Sequence, residues 1–209
     1  MTTDKELMVA GKLYYSGGAE LTAGRARARE LVYQFNQTAP AAFAKRQAVL
    51  RALFDCPSGD AYAEVPIRVD YGENVHVGRK FYANYECILL DIAPITIGDH
   101  VMFGPRVGLY TAGHPLIADI RNEDLEYGHP ITIGDNVWLG GNVTVCPGVT
   151  IGANTVVGAG AVVTHDLPAN VMAAGVPAKV LRPITEADKA DWASQKAEYE
   201  RLMGPVSRG

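Results

Sequence analysis

From residue 131 onward, aliphatic side chains recur every six positions, at Ile133, Leu139, Val145, Ile151, Val157 and Val163. A companion series stands two residues earlier, at Ile131, Val137, Val143 and Val149, continued by Thr155 and Ala161. Side chains two apart point to one face of a strand, so each unit of six predicts a short strand followed by a corner. Gly134, Gly140, Gly152 and Gly158 follow the first series, and Gly, Asn and Asp tolerate the backbone angles that a tight corner needs. The same period shows upstream at Ile97, Phe103 and Leu109. Strand and corner repeated in phase wind a solenoid, in which each coil buries its aliphatics on the next. The pattern predicts a mainly β fold, a parallel β-helix over 59–183.

Both ends read differently. Thr3 with Glu6 forms a capping-box pattern, and Gly11 is placed to stop that short helix. A second helix fits about 22–37, with Leu31, Val32 and Phe35 on one face. A third follows Pro40, with Phe43, Leu50, Leu53 and Phe54 at helical spacing. These helices are too small to stand alone, so the segment 1–58 is expected to pack on the solenoid. In 184–209, Thr185 and Asp188 are a capping pair, and Trp192, Tyr199 and Met203 share a face. That helix is expected to close or cap the solenoid. Between Leu109 and Ile133 the repeat stops, and 110–130 forms a polar excursion containing Pro and Gly. Long loops on rigid scaffolds tend to carry function.

Composition narrows the field. With 48% hydrophobic residues the chain can bury a core, and its net charge of −4 argues against a nucleic-acid partner. The charge is uneven: residues 1–56 carry eight Lys and Arg against five Asp and Glu, and the remainder eleven against eighteen. Arg25, Arg27 and Arg29 lie close together and read as a solvated helix face, or as a contact with phosphate or a neighbouring subunit. No apolar run is long enough to span a membrane, and the first residues hold no signal-peptide core. Cys56, Cys87 and Cys146 fit no metal or redox spacing. The expectation is a soluble cytoplasmic protein.

Four stretches carry a resemblance: FYANYECILLDIAPITIGD (81–99), YTAGHPL (110–116), ITIGDNVWLGGNVTVCPGVTIG (131–152) and AAGVPAKVLR (173–182). With GKLY (11–14) and RARELVYQFN (27–36), they resemble the maltose and galactoside O-acetyltransferase branch of the hexapeptide-repeat acyltransferases. The resemblance implies a left-handed parallel β-helix with a small N-terminal helical segment and a C-terminal helix. It also implies acetyl transfer from acetyl-CoA to a sugar hydroxyl of maltose, glucose or galactoside type, in a homotrimer with sites between subunits and no metal.

Acetyl transfer to a hydroxyl needs a base to take the alcohol's proton, and an imidazole titrating near neutrality suits the task. The resemblance gives that role to His114; the plain alternative is a surface histidine in a loop. Glu126, near the end of the same excursion, could orient the imidazole, contact substrate, or be one of several acids on a solvated loop. By resemblance Asn84 touches the reacting hydroxyl and the developing oxyanion, while Asp70, Tyr82 and Asp91 hold other sugar hydroxyls. Asn and Asp are also ordinary corner residues, a reading that weighs most on Asp99 and Asp135. It weighs less on Asn84, which falls outside the repeat register. Tyr15-Ser16-Gly17-Gly18 stands where the family often carries an acid.

For the donor, the resemblance places Trp138, Gly140 and Gly141 beside the thioester, and Ala159, Thr164 and His165 along pantetheine and adenine. Lys179 and Arg182 fall near the phosphates, where cations are needed. The family more often has Lys at the position of His165 and Arg at that of Lys179. His76, His100, His129 and His165 share no metal-ligand spacing, so a zinc enzyme on the same solenoid is disfavoured. Two competitors remain: a lipo-oligosaccharide or antibiotic acceptor within the same family, and a non-catalytic solenoid scaffold.

Overall fold

The computed structural model describes residues 2–206. Between Tyr62 and Pro183 the chain winds a β-solenoid of about six turns, and its strands stack into three sheets. The first sheet holds Val75–Val77, Ile95–Ile97, Ile131–Ile133 and Thr150–Ile151. The second runs through Tyr62–Ala63, Tyr82–Ala83, Met102–Phe103, Trp138–Leu139, Val156–Val157 and Val171–Ala174, with Lys179–Pro183 added antiparallel at its edge. The third holds Ile67–Val69, Cys87–Leu90, Gly108–Tyr110, Thr144–Val145 and Val162–Val163.

Ile133 lies beside Ile151 and Leu139 beside Val157, each pair 18 residues apart, which is three periods of six. Both aliphatic series point inward and are buried, and each such Val, Leu or Ile contributes about 1.5–3 kcal/mol. The earlier coils are longer. Val75 pairs with Ile95 and Tyr82 with Met102, 20 residues apart, so the period of six fades there. This corrects the register of Asn84. Its backbone N–H donates to Phe103 O at 3.0 Å, as that of Gly104 donates to Leu139 O at 2.7 Å, so Asn84 stands in the corner column with Gly104.

The glycines after the aliphatics also do something other than expected. The left-handed backbone falls three residues beyond the first five aliphatics of the series, at Asn136, Asn142, Gly148, Asn154 and Gly160. Gly134 and Gly140 are required by close stacking of coils instead. A Cβ on Gly134 would meet Ala153 N at 2.6 Å, and one on Gly140 would meet Ala159 N at 2.7 Å. The asparagines of one corner form a ladder, Asn136 Nδ2 to Asn154 Oδ1 at 3.0 Å and Asn154 Nδ2 to Asn170 Oδ1 at 2.9 Å. Asp99 and Asp135 follow ordinary corner chemistry, Asp135 Oδ1 accepting from Asp99 N and Asp99 pairing with Arg79.

Helices α1 (Asp4–Val9), α2 (Ala19–Asn36) and α3 (Phe43–Leu53) precede the solenoid. The capping box of α1 forms as the sequence predicts, and Gly11 ends the turn at φ +68°. Phe35, Leu50, Leu53 and Phe54 join the buried core of the coils, so the front helices close the first turn. The Asn36 side chain clamps Ile67 like a missing strand, Nδ2 donating to Ile67 O at 3.0 Å and Oδ1 accepting from Ile67 N at 2.9 Å. Val49 faces inward on α3, whereas Phe43 lies outside and stacks on Tyr62. Helix α4 (Ala118–Arg121) lies within the excursion.

The last helix, α5 (Glu186–Met203), does not cap the solenoid. It buries no residue, and Trp192, Tyr199 and Met203 are all exposed. Its first turns instead lie beside the outer face of the second sheet, where Trp138, Val156, Met172 and Trp192 line a groove of about 370 Å³.

Candidate active site

The excursion folds back as a small antiparallel sheet. Ala112 pairs with Gly128 and Gly113 with Tyr127, and the other edge of the same strand pairs Glu126 with Tyr14 and Leu125 with Tyr15. His114 follows directly on Gly113, and Glu126 directly precedes Tyr127 on the facing strand. The His114 side chain is exposed. A strand held between two others thus carries Glu126, with the histidine on one side and the N-terminal segment on the other.

Below this sheet lies a polar cavity of about 310 Å³, lined by Ser16, Arg25, Asp70, Tyr71, Ile92 and Glu126. Glu126 Oε2 accepts from the Tyr14 hydroxyl at 2.8 Å. Burial first, and then the carboxylate of Glu126, raise the Tyr14 phenol above its ordinary range, so it stays a donor. Arg25 donates to the Tyr71 hydroxyl at 2.7 Å and to Ser16 O at 2.8 Å. Gly24 makes this approach possible, since a Cβ there would meet the Tyr71 ring at 3.1 Å. Burial raises the Asp70 carboxyl, opposed by Arg25 and reinforced by Glu126.

Asp91 is placed beneath the cavity. It is fully buried; Oδ1 accepts from Asp70 N and Tyr71 N, each at 2.9 Å, and Oδ2 from Asn74 N at 3.3 Å. Burial pushes its carboxyl up to about 7 against these donors. It shapes the turn that presents Asp70 and Tyr71. Asn84 Oδ1 accepts from Tyr85 N at 2.8 Å, which leaves its Nδ2 hydrogens for a ligand. Tyr82 stacks on Tyr62, with ring centroids 5.8 Å apart, in the outward column of the second sheet.

The residues expected at the donor fall on two surfaces. Trp138 and Arg182 line the groove beside α5, whereas Thr164 and His165 follow the last strand of the third sheet and touch each other at 2.9 Å. Gly140 and Gly141 form the corner between those sheets, and Ala159 occupies the equivalent corner one coil on. Lys179 is exposed on the edge strand. Among the described residues no group of three His, Cys, Asp or Glu could hold a metal, and no helix is long and apolar enough to cross a membrane.

Ser16, Arg25, Tyr71 and Ile92 line the cavity although the sequence did not single them out for the site, and Tyr14 joins it through Glu126. The charge excess of the front segment pointed at Arg25, and the Tyr15–Gly18 stretch at Ser16. Tyr14 stood only as the last residue of GKLY, and nothing in the local pattern distinguishes Tyr71, which a turn of the first coil brings in from afar.

A hexapeptide solenoid with an inserted polar loop and a helical front defines a class of acyl-group transferases, and comparison with known proteins agrees. Residues 7–56 match the maltose acetyltransferase hexapeptide capping motif, and 130–165 match the bacterial transferase hexapeptide of six repeats. Galactoside O-acetyltransferase of Escherichia coli K12 is 44% identical over 184 residues, 88% of this chain and 91% of that protein. The crystal structure of a maltose O-acetyltransferase from Clostridium difficile 630 superposes with a TM-score of 0.87 at 48% identity, covering 88% and 98% of the two chains. A galactoside acetyltransferase in complex with coenzyme A gives 0.87 at 42%, covering 90% and 94%. The chain belongs to the maltose and galactoside branch of the hexapeptide-repeat acetyltransferases, and it is an O-acetyltransferase.

Proposed function

We propose that the chain transfers the acetyl group of acetyl-CoA to a hydroxyl of a sugar bound in the cavity of Ser16, Arg25, Asp70, Tyr71 and Glu126. The observation that carries this reading is the cavity itself. Two carboxylates, a guanidinium and a phenol converge at the small sheet whose edge strand runs into His114, and a sugar is a ring of hydroxyls that such groups bind in pairs. The His114 imidazole takes the proton of the attacking hydroxyl, whose oxygen adds to the thioester carbonyl carbon. The oxyanion is met by Asn84 and by the backbone N–H of Gly141, since those of Gly140 and Asn142 are held by Val157 O and Pro105 O, and CoA leaves as the thiol after the imidazolium returns the proton. Glu126, engaged by Tyr14, acts on the acceptor. Asp70 and Tyr82 hold further hydroxyls, and Asp91 acts by positioning Asp70.

On the donor side Trp138 flanks the thioester. Ala159, Thr164 and His165 follow the pantetheine and adenine, and Lys179 and Arg182 stand near the phosphates. The enzyme works as a homotrimer with sites between subunits, a reading supported by the half-exposed Met102 and Trp138 on the outer face of the second sheet. Three free cysteines support a reducing, cytoplasmic setting. The test is CoA release from acetyl-CoA with maltose, glucose and a thiogalactoside, for wild type and His114→Ala. Sugar-dependent turnover that falls by about two orders of magnitude or more in the variant is expected. Equal rates would remove His114 from the chemistry.

A further inference from the structure

Helix α5 touches the donor surface just assigned, at one well-defined contact. Arg182, on the outermost strand, sends both terminal nitrogens to Asp188, Nη1 to Oδ2 and Nη2 to Oδ1, each at 2.8 Å. The planar fork of an arginine matches a carboxylate in the same two-pronged way that it matches a phosphate. Asp188 is also held in place. Its Oδ2 accepts from Thr185 N at 2.8 Å and from the Thr185 hydroxyl at 2.9 Å, and the Thr185 side chain caps the helix in return. The carboxylate is therefore preset by the helix cap and does not have to be ordered to meet the guanidinium. Beside this pair, Trp138, Val156, Met172, Ile184 and Trp192 form the apolar wall of the groove.

We propose that Asp188 is a specificity-determining residue for the donor: by occupying Arg182 it withholds that cation from the phosphates, so the chain grips the donor by its pantetheine arm more than by its charge. The proposal rests on the donor surface given under Proposed function. Helix α5 turns the arginine placed near the phosphates into an internal ion pair. The rigid cap gives the carboxylate a high effective concentration at the guanidinium, against which a phosphate arriving from solution must compete.

The test is isothermal titration of CoA, and separately of pantetheine, which lacks the phosphates. The proteins are the full chain, Asp188→Ala, Asp191→Asn and the double variant Arg182→Ala with Asp188→Ala. Asp188→Ala is expected to tighten CoA by about tenfold, the size of one charge-assisted contact, and to leave pantetheine unchanged. The gain fades as salt is raised. Asp191→Asn removes the same charge from α5 without touching Arg182, and leaves both ligands unchanged. The double variant returns CoA to its wild-type affinity. A chain ending at Ile184 removes Asp188 with its helix, and must raise the CoA-to-pantetheine affinity ratio in the same way. Unchanged or weaker CoA binding in Asp188→Ala, or an equal change for both ligands, overturns the proposal while leaving the donor reading intact. Failure of the wild type to bind CoA at all overturns both.

Discussion

Two helices of this chain have the same length of 18 residues and opposite fates. Helix α2 buries Leu21, Ala28 and Phe35, spaced seven apart, and its Arg25 reaches into the polar cavity. Helix α5 buries nothing, and its one specific attachment is Asp188 on Arg182. Both carry acid in the first turn and both are rich in Ala, so intrinsic helix preference does not separate them. The difference lies in what stands opposite. The first solenoid turn has an open end, and α2 and α3 fill it. The last turn already carries the edge strand Lys179–Pro183, which leaves α5 only a sheet face to lie against. A helix is worth what its partner surface lets it bury, and each of these two sends one charged side chain to a concave surface, Arg25 to the polar cavity and Asp188 to the outer groove.

The sharpest way to break that contrast is to truncate one large aromatic of each helix. Phe35→Ala, in the fused core of α2 and the coils, is expected to cost about 3–5 kcal/mol in denaturant unfolding. Trp192→Ala on α5 removes a larger ring and should stay within about 0.5 kcal/mol. Comparable losses from the two would show that α5 is packed after all.

Next in size is the turn that meets α2. Asp91→Asn cannot accept all three amides, and is expected to cost about 1–3 kcal/mol. Its pH dependence has a definite sign. Burial raises the Asp91 carboxyl from its ordinary 3.8 to about 7, so between those values the folded chain keeps a proton that the unfolded chain has lost. Stability owed to this residue therefore falls as pH rises from about 4 to about 7. The unfolding free energy of wild type minus that of Asp91→Asn should shrink across that window; a flat or growing difference contradicts burial as the dominant influence. Smaller still, Gly24→Ala places a better helix former in α2 but drives a Cβ to 3.1 Å from the buried Tyr71 ring. We expect a net loss of about 1 kcal/mol despite a propensity gain of similar size. A rise in melting temperature would show that Tyr71 can yield.

The regular coils were legible because one physical demand repeats. Ile133, Leu139, Val145 and their companions must point inward at every turn, and the strand period makes them visible. Gly134 was legible as a marked position and misread in cause, since close approach of neighbouring coils leaves the same letter as a left-handed corner. Asn84 was misplaced because the upstream coils are two residues longer. At the site, His114 and Glu126 stood out inside an excursion from the repeat. Arg25 and Tyr14 belong to distant segments that meet only through the pairing of Tyr14 with Glu126 and the packing of α2 on Tyr71. The fate of α5 is the feature least legible in the sequence. Its capping pair Thr185 and Asp188 reads correctly as a helix start, but an apolar face on a helix says nothing of whether a surface exists to receive it.

The central claim, that α2 helps to build the acceptor site and the outer groove serves the donor, is tested most directly by steady-state kinetics of Arg25→Ala with acceptor and acetyl-CoA varied in turn. We predict a KM for the sugar raised by about tenfold or more, the cost of one charged hydrogen-bonding group, with the KM for acetyl-CoA within about twofold of wild type. An unchanged sugar KM, or a change carried by acetyl-CoA instead, would contradict the account.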